Sequence, residues 1–125
     1  METKSTFEDL EVWKEARVLR NKMALLARAL PSHEKFKLVD QIVRASRSVT
    51  ANIAEGYGRF HFQENIQYCR QARGSLYEII DHLTVALDEK YLSQAEYEVT
   101  RVEVYVLVKK LNGYISYLAK RKDAG

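Results

Sequence analysis

The spacing of the apolar residues narrows the fold more than any other feature of this chain. Along almost its whole length they return every three or four positions, the repeat of a helix with one face turned to a core. Val12, Trp13, Ala16, Leu19, Met23, Leu26, Ala27 and Leu30 make the first such series, from Leu10 to Leu30. Pro31 ends it, because proline has no N–H to donate and its ring clashes with the preceding turn, and Ser32 can cap a new helix. Phe36, Leu38, Val39, Ile42, Val43, Ala45, Val49, Ile53 and Ala54 then mark a second helix, expected to stop at Gly56 and Gly58, since glycine accepts the left-handed geometry of a C-cap.

Ile66, Ala72, Leu76, Ile79, Ile80, Leu83, Ala86 and Leu87 give a third series. The chain turns near Lys90, Tyr91 and Leu92, where Ser93 and Glu96 have the spacing of a capping box, each side chain able to satisfy the other's free backbone N–H. Helices are therefore expected at about 10–30, 34–55, 62–89 and 94–120, with a frayed tail from Lys120. Short connections make consecutive helices antiparallel neighbours, so the expected fold is all-α, a single-domain up-down-up-down four-helix bundle.

Composition agrees. Of the 125 residues, 46% are hydrophobic and 30% charged, with only 5 Gly and 1 Pro, too few turn residues for many short strands. Cys69, the single cysteine, cannot form an internal disulfide and reads as a small, half-buried apolar residue in a reducing compartment. The polar, acidic start lacks the features of a signal peptide, and no segment has the ~18 consecutive apolar residues of a membrane span. A cytoplasmic location with no membrane partner is expected.

In the fourth helix, Val104, Val108, Leu111, Ile115 and Leu118 form one stripe, while Val99, Val102, Tyr105, Val106, Tyr114 and Tyr117 widen the apolar surface beyond it. One helix of a monomeric bundle buries a single stripe, so the extra width points to self-association. The alternative is that the tyrosines are rim residues with wet hydroxyls.

The second helix carries a polar row as well. Gln41, Arg44, Ser48, Asn52 and Glu55, spaced by 3, 4, 4 and 3, fall on one face beside the apolar stripe. Their mixed chemistry suits a buried hydrogen-bonded network, for which the third helix offers Ser75 and Glu78, with Gly74 as a point of close helix approach. An ion pair between Arg44 and Glu78 is expected on this reading; the alternative is an ordinary solvated face.

Three stretches carry a family resemblance: PheGluAspLeuGluValTrpLysGluAla from Phe7 to Ala16, GlnIleValArgAlaSerArgSerValThrAlaAsnIleAlaGluGlyTyrGlyArg from Gln41 to Arg59, and AlaArgGlySerLeuTyrGlu from Ala72 to Glu78. Together they resemble the bacterial four-helix-bundle proteins encoded in intervening sequences of 23S ribosomal RNA genes. His61 and Asn65 depart from that pattern, which has a serine-like cap and an aromatic there. The family is similar in turn to the accessory variability determinant of diversity-generating retroelements, a ring-shaped homopentamer that binds nucleic acid and a reverse transcriptase. The resemblance thus implies a homo-oligomer, a pentamer by that analogy, and an RNA or DNA partner.

Catalytic signatures are missing. No glutamate has a histidine three residues on, as a bundle di-metal site would need, and there is no Gly-x-x-x-x-Gly-Lys loop, Gly-x-Ser-x-Gly elbow or His-Glu-x-x-His motif. His82, one turn from Glu78, reads as a surface or ion-paired residue rather than a ligand. No enzyme activity, cofactor or metal is expected.

The net charge of +3 (20 Lys and Arg against 17 Asp and Glu) with a pI near 9.0 permits nucleic-acid binding without requiring it. Candidate contacts are Lys14, Arg17, Arg20 and Arg28 on the first helix, with Arg47, Arg59, Arg70 and Arg73 on or near the next two. Against this stands a surface on which the acids neutralise them. Two functions follow: a nucleic-acid-binding homo-oligomer, or a scaffold that docks a partner protein through its aromatic surface.

Overall fold

The computed structural model describes residues 5–124 and is built of four helices: α1 (Glu11–Arg28), α2 (Leu38–Gly58), α3 (Phe62–Asp88) and α4 (Gln94–Ala124). Two single 3-10 turns, Phe7–Asp9 and Ser32–Glu34, precede α1 and α2. There is no strand among the described residues.

Cross-helix pairs give the direction of each helix. Arg20 meets Thr50, Ser48 meets Ser75, and Tyr77 and Asn65 meet Tyr105 and Tyr114. Lys22 and Glu15 of α1 bridge to Glu103 and Lys110 of α4. Residue numbers on α4 fall as those on α1 and α3 rise, and Gly56 beside Asn65 runs α2 against α3 in the same way, so consecutive helices are antiparallel and α4 closes the bundle against α1. This is the up-down-up-down architecture that the periodicity implies.

Each helix contributes one stripe to a common core: Ala16 and Met23 from α1, Ile42 and Ile53 from α2, Leu76, Ile79 and Leu83 from α3, and Val104 and Leu111 from α4. Fully burying each of the Met, Ile, Leu and Val side chains among these stabilises the fold by about 1.5–3 kcal/mol. Cys69 is completely buried rather than half-buried, and loss of hydration pushes its thiol pKa up to about 12. Leu107 and Tyr97, outside the expected stripe of α4, are buried too. Phe36, expected on the apolar face of α2, is 85% exposed.

Helix ends differ from expectation in instructive ways. α2 starts at Leu38 rather than near 34, because residues 32–34 form the 3-10 turn and Glu34 accepts a hydrogen bond from the Tyr91 hydroxyl at 2.8 Å. Ser32 makes no capping bond; instead its carbonyl accepts the Lys35 N–H. α4 stays helical to Ala124, where a frayed tail was expected.

Gly56 and Gly58 lie inside α2, and the left-handed residue that ends this helix is Phe60, with φ of 59°. α3 ends the same way at Lys90, φ 66°, where the Tyr91 N–H donates to the Ala86 carbonyl and the Lys90 N–H to the Leu87 carbonyl, a Schellman motif built without glycine. The capping box ahead of α4 forms as its spacing implies. The Glu96 N–H donates to Ser93 Oγ at 3.1 Å and the Ser93 N–H to Glu96 Oε1 at 2.9 Å.

The glycine that permits close helix approach is Gly56 rather than Gly74. A Cβ at 56 would lie 2.8 Å from Asn65 Oδ1 and 2.9 Å from Tyr68 Cβ, whereas one at 58 or 74 would meet nothing within 4 Å. Gly56→Ala is therefore expected to destabilise the protein by about 1–3 kcal/mol. Gly58→Ala, in an open helical position, should be stabilising by up to ~1 kcal/mol. Chemical denaturation of the two variants checks the contrast.

The cap also sets a pH dependence. The Ser93 N–H, with help from its hydroxyl, holds the Glu96 carboxyl below its ordinary pKa. A carboxylate depressed in the folded state contributes stability that is present above its unfolded pKa and lost as pH falls through the folded one. Between about pH 5 and pH 3, the denaturation midpoint of Glu96→Gln should fall less steeply than that of the wild type.

Candidate nucleic-acid interface

The eight candidate cations are carried to three different places. Lys14, Arg17 and Arg28 are exposed on the outer face of α1. Arg20 lies at the joint of α1 and α2, where its guanidinium donates to Thr50 Oγ1 at 3.2 Å. The Thr50 hydroxyl in turn donates to the carbonyl of Arg47, an exposed residue one turn earlier on α2. All five lie on α1 or α2, the α1–α2 group. Lys14, Arg17, Arg28 and Arg47 make no salt bridge among the described residues, and Arg17 lies 5.8 Å over the Trp13 ring.

Arg59, at the turn between α2 and α3, is fully engaged. It pairs with Glu55 at 3.0 Å and Glu64 at 3.5 Å, donates to the Tyr68 hydroxyl at 2.7 Å, and stacks on that ring at 5.1 Å. Its pKa is raised, first by Tyr68 and then by Glu55. Arg73 donates to Asn112 Oδ1 of α4 at 2.8 Å, and the exposed Arg70 lies one turn earlier on α3. The eight residues therefore do not make a single patch; the α1–α2 group is separate from Arg59 and from Arg70 with Arg73.

The polar row of α2 splits between core edge and solvent. At its centre, Asn52 Nδ2 donates to Ser48 Oγ and to the Ser48 carbonyl, each at 2.9 Å, and Ser75 of α3 donates to Ser48 Oγ at 2.9 Å. Ser75 is buried and Ser48 and Asn52 half-buried, so the middle of the row joins α2 to α3. Its ends face water: Gln41 and Glu78 are exposed, Glu55 is exposed and paired with Arg59, and the side chain of Arg44 is 78% exposed.

The expected Arg44–Glu78 ion pair does not form. Arg44 turns to Asp40, one turn back on its own helix, at 3.5 Å, because an exposed guanidinium gains little from ordering a second long side chain across the groove. Gln41, Arg44, Ser48, Ser75, Glu78 and His82 nonetheless line one shallow polar cleft of about 340 Å³. No three His, Cys, Asp or Glu side chains come together in a metal-holding group among the described residues.

Sequence reasoning missed several buried polar residues. Ser46 and Thr50 return their hydroxyls to carbonyls three residues back, and Thr100 to one four residues back, so on helices they read as ordinary core-edge positions. Asn65 is buried at the start of α3 and donates to the Tyr114 hydroxyl at 3.4 Å. Its signal was the departure from the family pattern at that position.

The described helices include none long and apolar enough to cross a membrane. A family model, that of the 23S rRNA-intervening sequence proteins, matches residues 8–113. A crystal structure from Bacteroides thetaiotaomicron, of a protein with unknown function from the S23 ribosomal protein family, is 22% identical, with a TM-score of 0.76 over 83% of this chain and 97% of that one, a likeness of fold. No protein of curated function matches the sequence. With the model spanning most of the chain and the bundle matching in fold, the protein belongs to the 23S rRNA-intervening sequence protein family.

Proposed function

We propose that this protein is a non-catalytic, cytoplasmic homo-oligomer that binds RNA through the α1–α2 face. The observation that carries the reading is that Lys14, Arg17, Arg28 and Arg47 are exposed and make no salt bridge among the described residues, while Arg44 and Arg59 are held by carboxylates. Exposed, unpaired cations can take the place of counterions condensed on a nucleic acid, and release of those counterions drives such binding.

The homo-oligomeric part of the reading rests on a different surface. Val18 and Leu25 of α1 and Val99, Val102 and Val106 of α4 are exposed, and they border two adjoining clefts of about 640 and 390 Å³ along the α1–α4 joint. Lys22–Glu103 and Glu15–Lys110 pairs already neutralise the charges there, which leaves an apolar surface suited to a second copy. The same surface favours the second reading, a scaffold docking another protein. Repetition of a modest basic face around an oligomer would raise its avidity for a long polyanion.

Binding of a single-stranded RNA, followed from low to high salt, tests the reading. Affinity should fall steeply, with a log–log slope that shrinks by about 0.7 for each phosphate contact removed. Arg17, Arg28 and Arg47 changed together to Ala should flatten the slope and weaken binding, and Arg73→Ala should leave both unchanged. Light scattering on the same sample should report several subunits. A salt-independent affinity would overturn the RNA reading, and a monomeric mass the oligomeric one.

A further inference from the structure

The end of the bundle where α2 gives way to α3 holds a second concentration of chemistry, distinct from the α1–α2 face. A cleft of about 310 Å³ is lined there chiefly by rings, among them Tyr57, Phe60, Phe62, Tyr114 and Tyr117. Tyr114 and Tyr117 stack with their planes 17° apart, and Tyr57 and Phe60 sit 6.5 Å apart. Its size is at the small end of ligand sites, which run from about 300 to 1,000 Å³, and suits one flat ring system rather than a whole nucleotide.

Phe60 is the least economical residue of this cleft. It occupies the left-handed position that ends α2, φ 59°, where glycine is the unstrained choice, and its ring is 85% exposed. An aromatic ring held in water at that position contributes little to the core and is free to contact a ligand.

Polar groups are placed to match a flat, hydrogen-bonding ligand with a negative tail. Asn65, only 8% exposed, lines the cleft and engages the Tyr114 hydroxyl through a long 3.4 Å bond, so one amide N–H and the tyrosine hydroxyl have capacity for a further partner. Arg121 lies one turn beyond Tyr117 with its guanidinium 5.9 Å from the Phe62 ring, and Lys122 is placed beside the same helix end by its bond to Gln63 at 2.7 Å.

The geometry points to a pocket for one unpaired nucleobase, which stacks on the Phe60 side of the cleft, hydrogen-bonds to Asn65 or Tyr114, and sets its phosphate toward Arg121. Stacking on aromatic side chains is how proteins hold single strands without reading duplexes, and every base offers a face for it. The inference rests on the RNA reading above and sharpens it: the α1–α2 cations supply backbone affinity, and this pocket supplies preference for unpaired RNA.

The test uses the full-length protein with a single-stranded RNA containing 5-iodouridine, irradiated and mapped by peptide mass, beside binding of the same RNA and of a blunt duplex by the Phe60→Gly and Tyr117→Ala variants. Crosslinks to Phe60, Tyr57 or Tyr117 are expected. Phe60→Gly should weaken single-strand binding about tenfold and leave duplex binding unchanged. Its melting temperature should be unchanged or higher, since glycine relieves the left-handed strain. Crosslinks confined to α1 and α2, with both variants binding normally, would overturn the pocket and leave the basic face standing. Absence of any RNA binding by the wild type would sink the basic face and with it the pocket's ligand. A lower subunit number in Phe60→Gly at unchanged RNA affinity would assign the cleft to a second copy instead.

Discussion

Burial of α3 is the constraint from which the remaining arrangement follows. Ile66, Cys69, Ala72, Leu76, Ile79, Leu83 and Ala86 are at most 4% exposed, a stripe running the length of the helix. α2 packs against one side of it, fixed at one end by the close approach at Gly56 and in the middle by the Ser75–Ser48 hydrogen bond. α4 packs against the other, through Tyr105 on Tyr77 and Asn112 on Arg73. α1 then completes the core, and its outer face is left to present Lys14, Arg17 and Arg28.

This arrangement divides the cations by what they have to do. Arg20, Arg59 and Arg73 each donate to a group on a neighbouring element or turn, at distances of 2.7–3.2 Å, and so help to set helix against helix. Lys22 and Lys110 staple α1 to α4 across an otherwise apolar joint. Ion pairs this exposed contribute little to stability individually, but they fix which face of each helix is spoken for. Among the described residues Lys14, Arg17, Arg28 and Arg47 form no salt bridge, and the aromatic cleft where α2 gives way to α3 adds a second chemistry.

The fold was legible in the sequence because period, proline and capping box all pointed to the same four segments, and the core stripes of α1, α2 and α3 fell where the spacing put them, Phe36 excepted. Helix ends were harder. Glycine marks a left-handed stop by propensity, yet Phe60 and Lys90 take that conformation while Gly56 serves a contact 9 to 12 residues away that no local pattern encodes. The polar row was visible as a row, but whether Arg44 would reach Glu78 depended on a competition with Asp40 on its own helix, and the local partner won. Of the site, residue types could be read directly; their division into tied and free cations required the packing of the neighbouring helices and turns.

That division is testable residue by residue. Arginine-selective chemical modification, quantified by peptide mass with and without bound single-stranded RNA, measures which guanidinium groups the nucleic acid covers. Arg17, Arg28 and Arg47 should become protected on binding, while Arg59 and Arg73, already occupied by protein partners, should react equally in both states. Protection of Arg59 and Arg73 with Arg17, Arg28 and Arg47 unaffected would contradict the account.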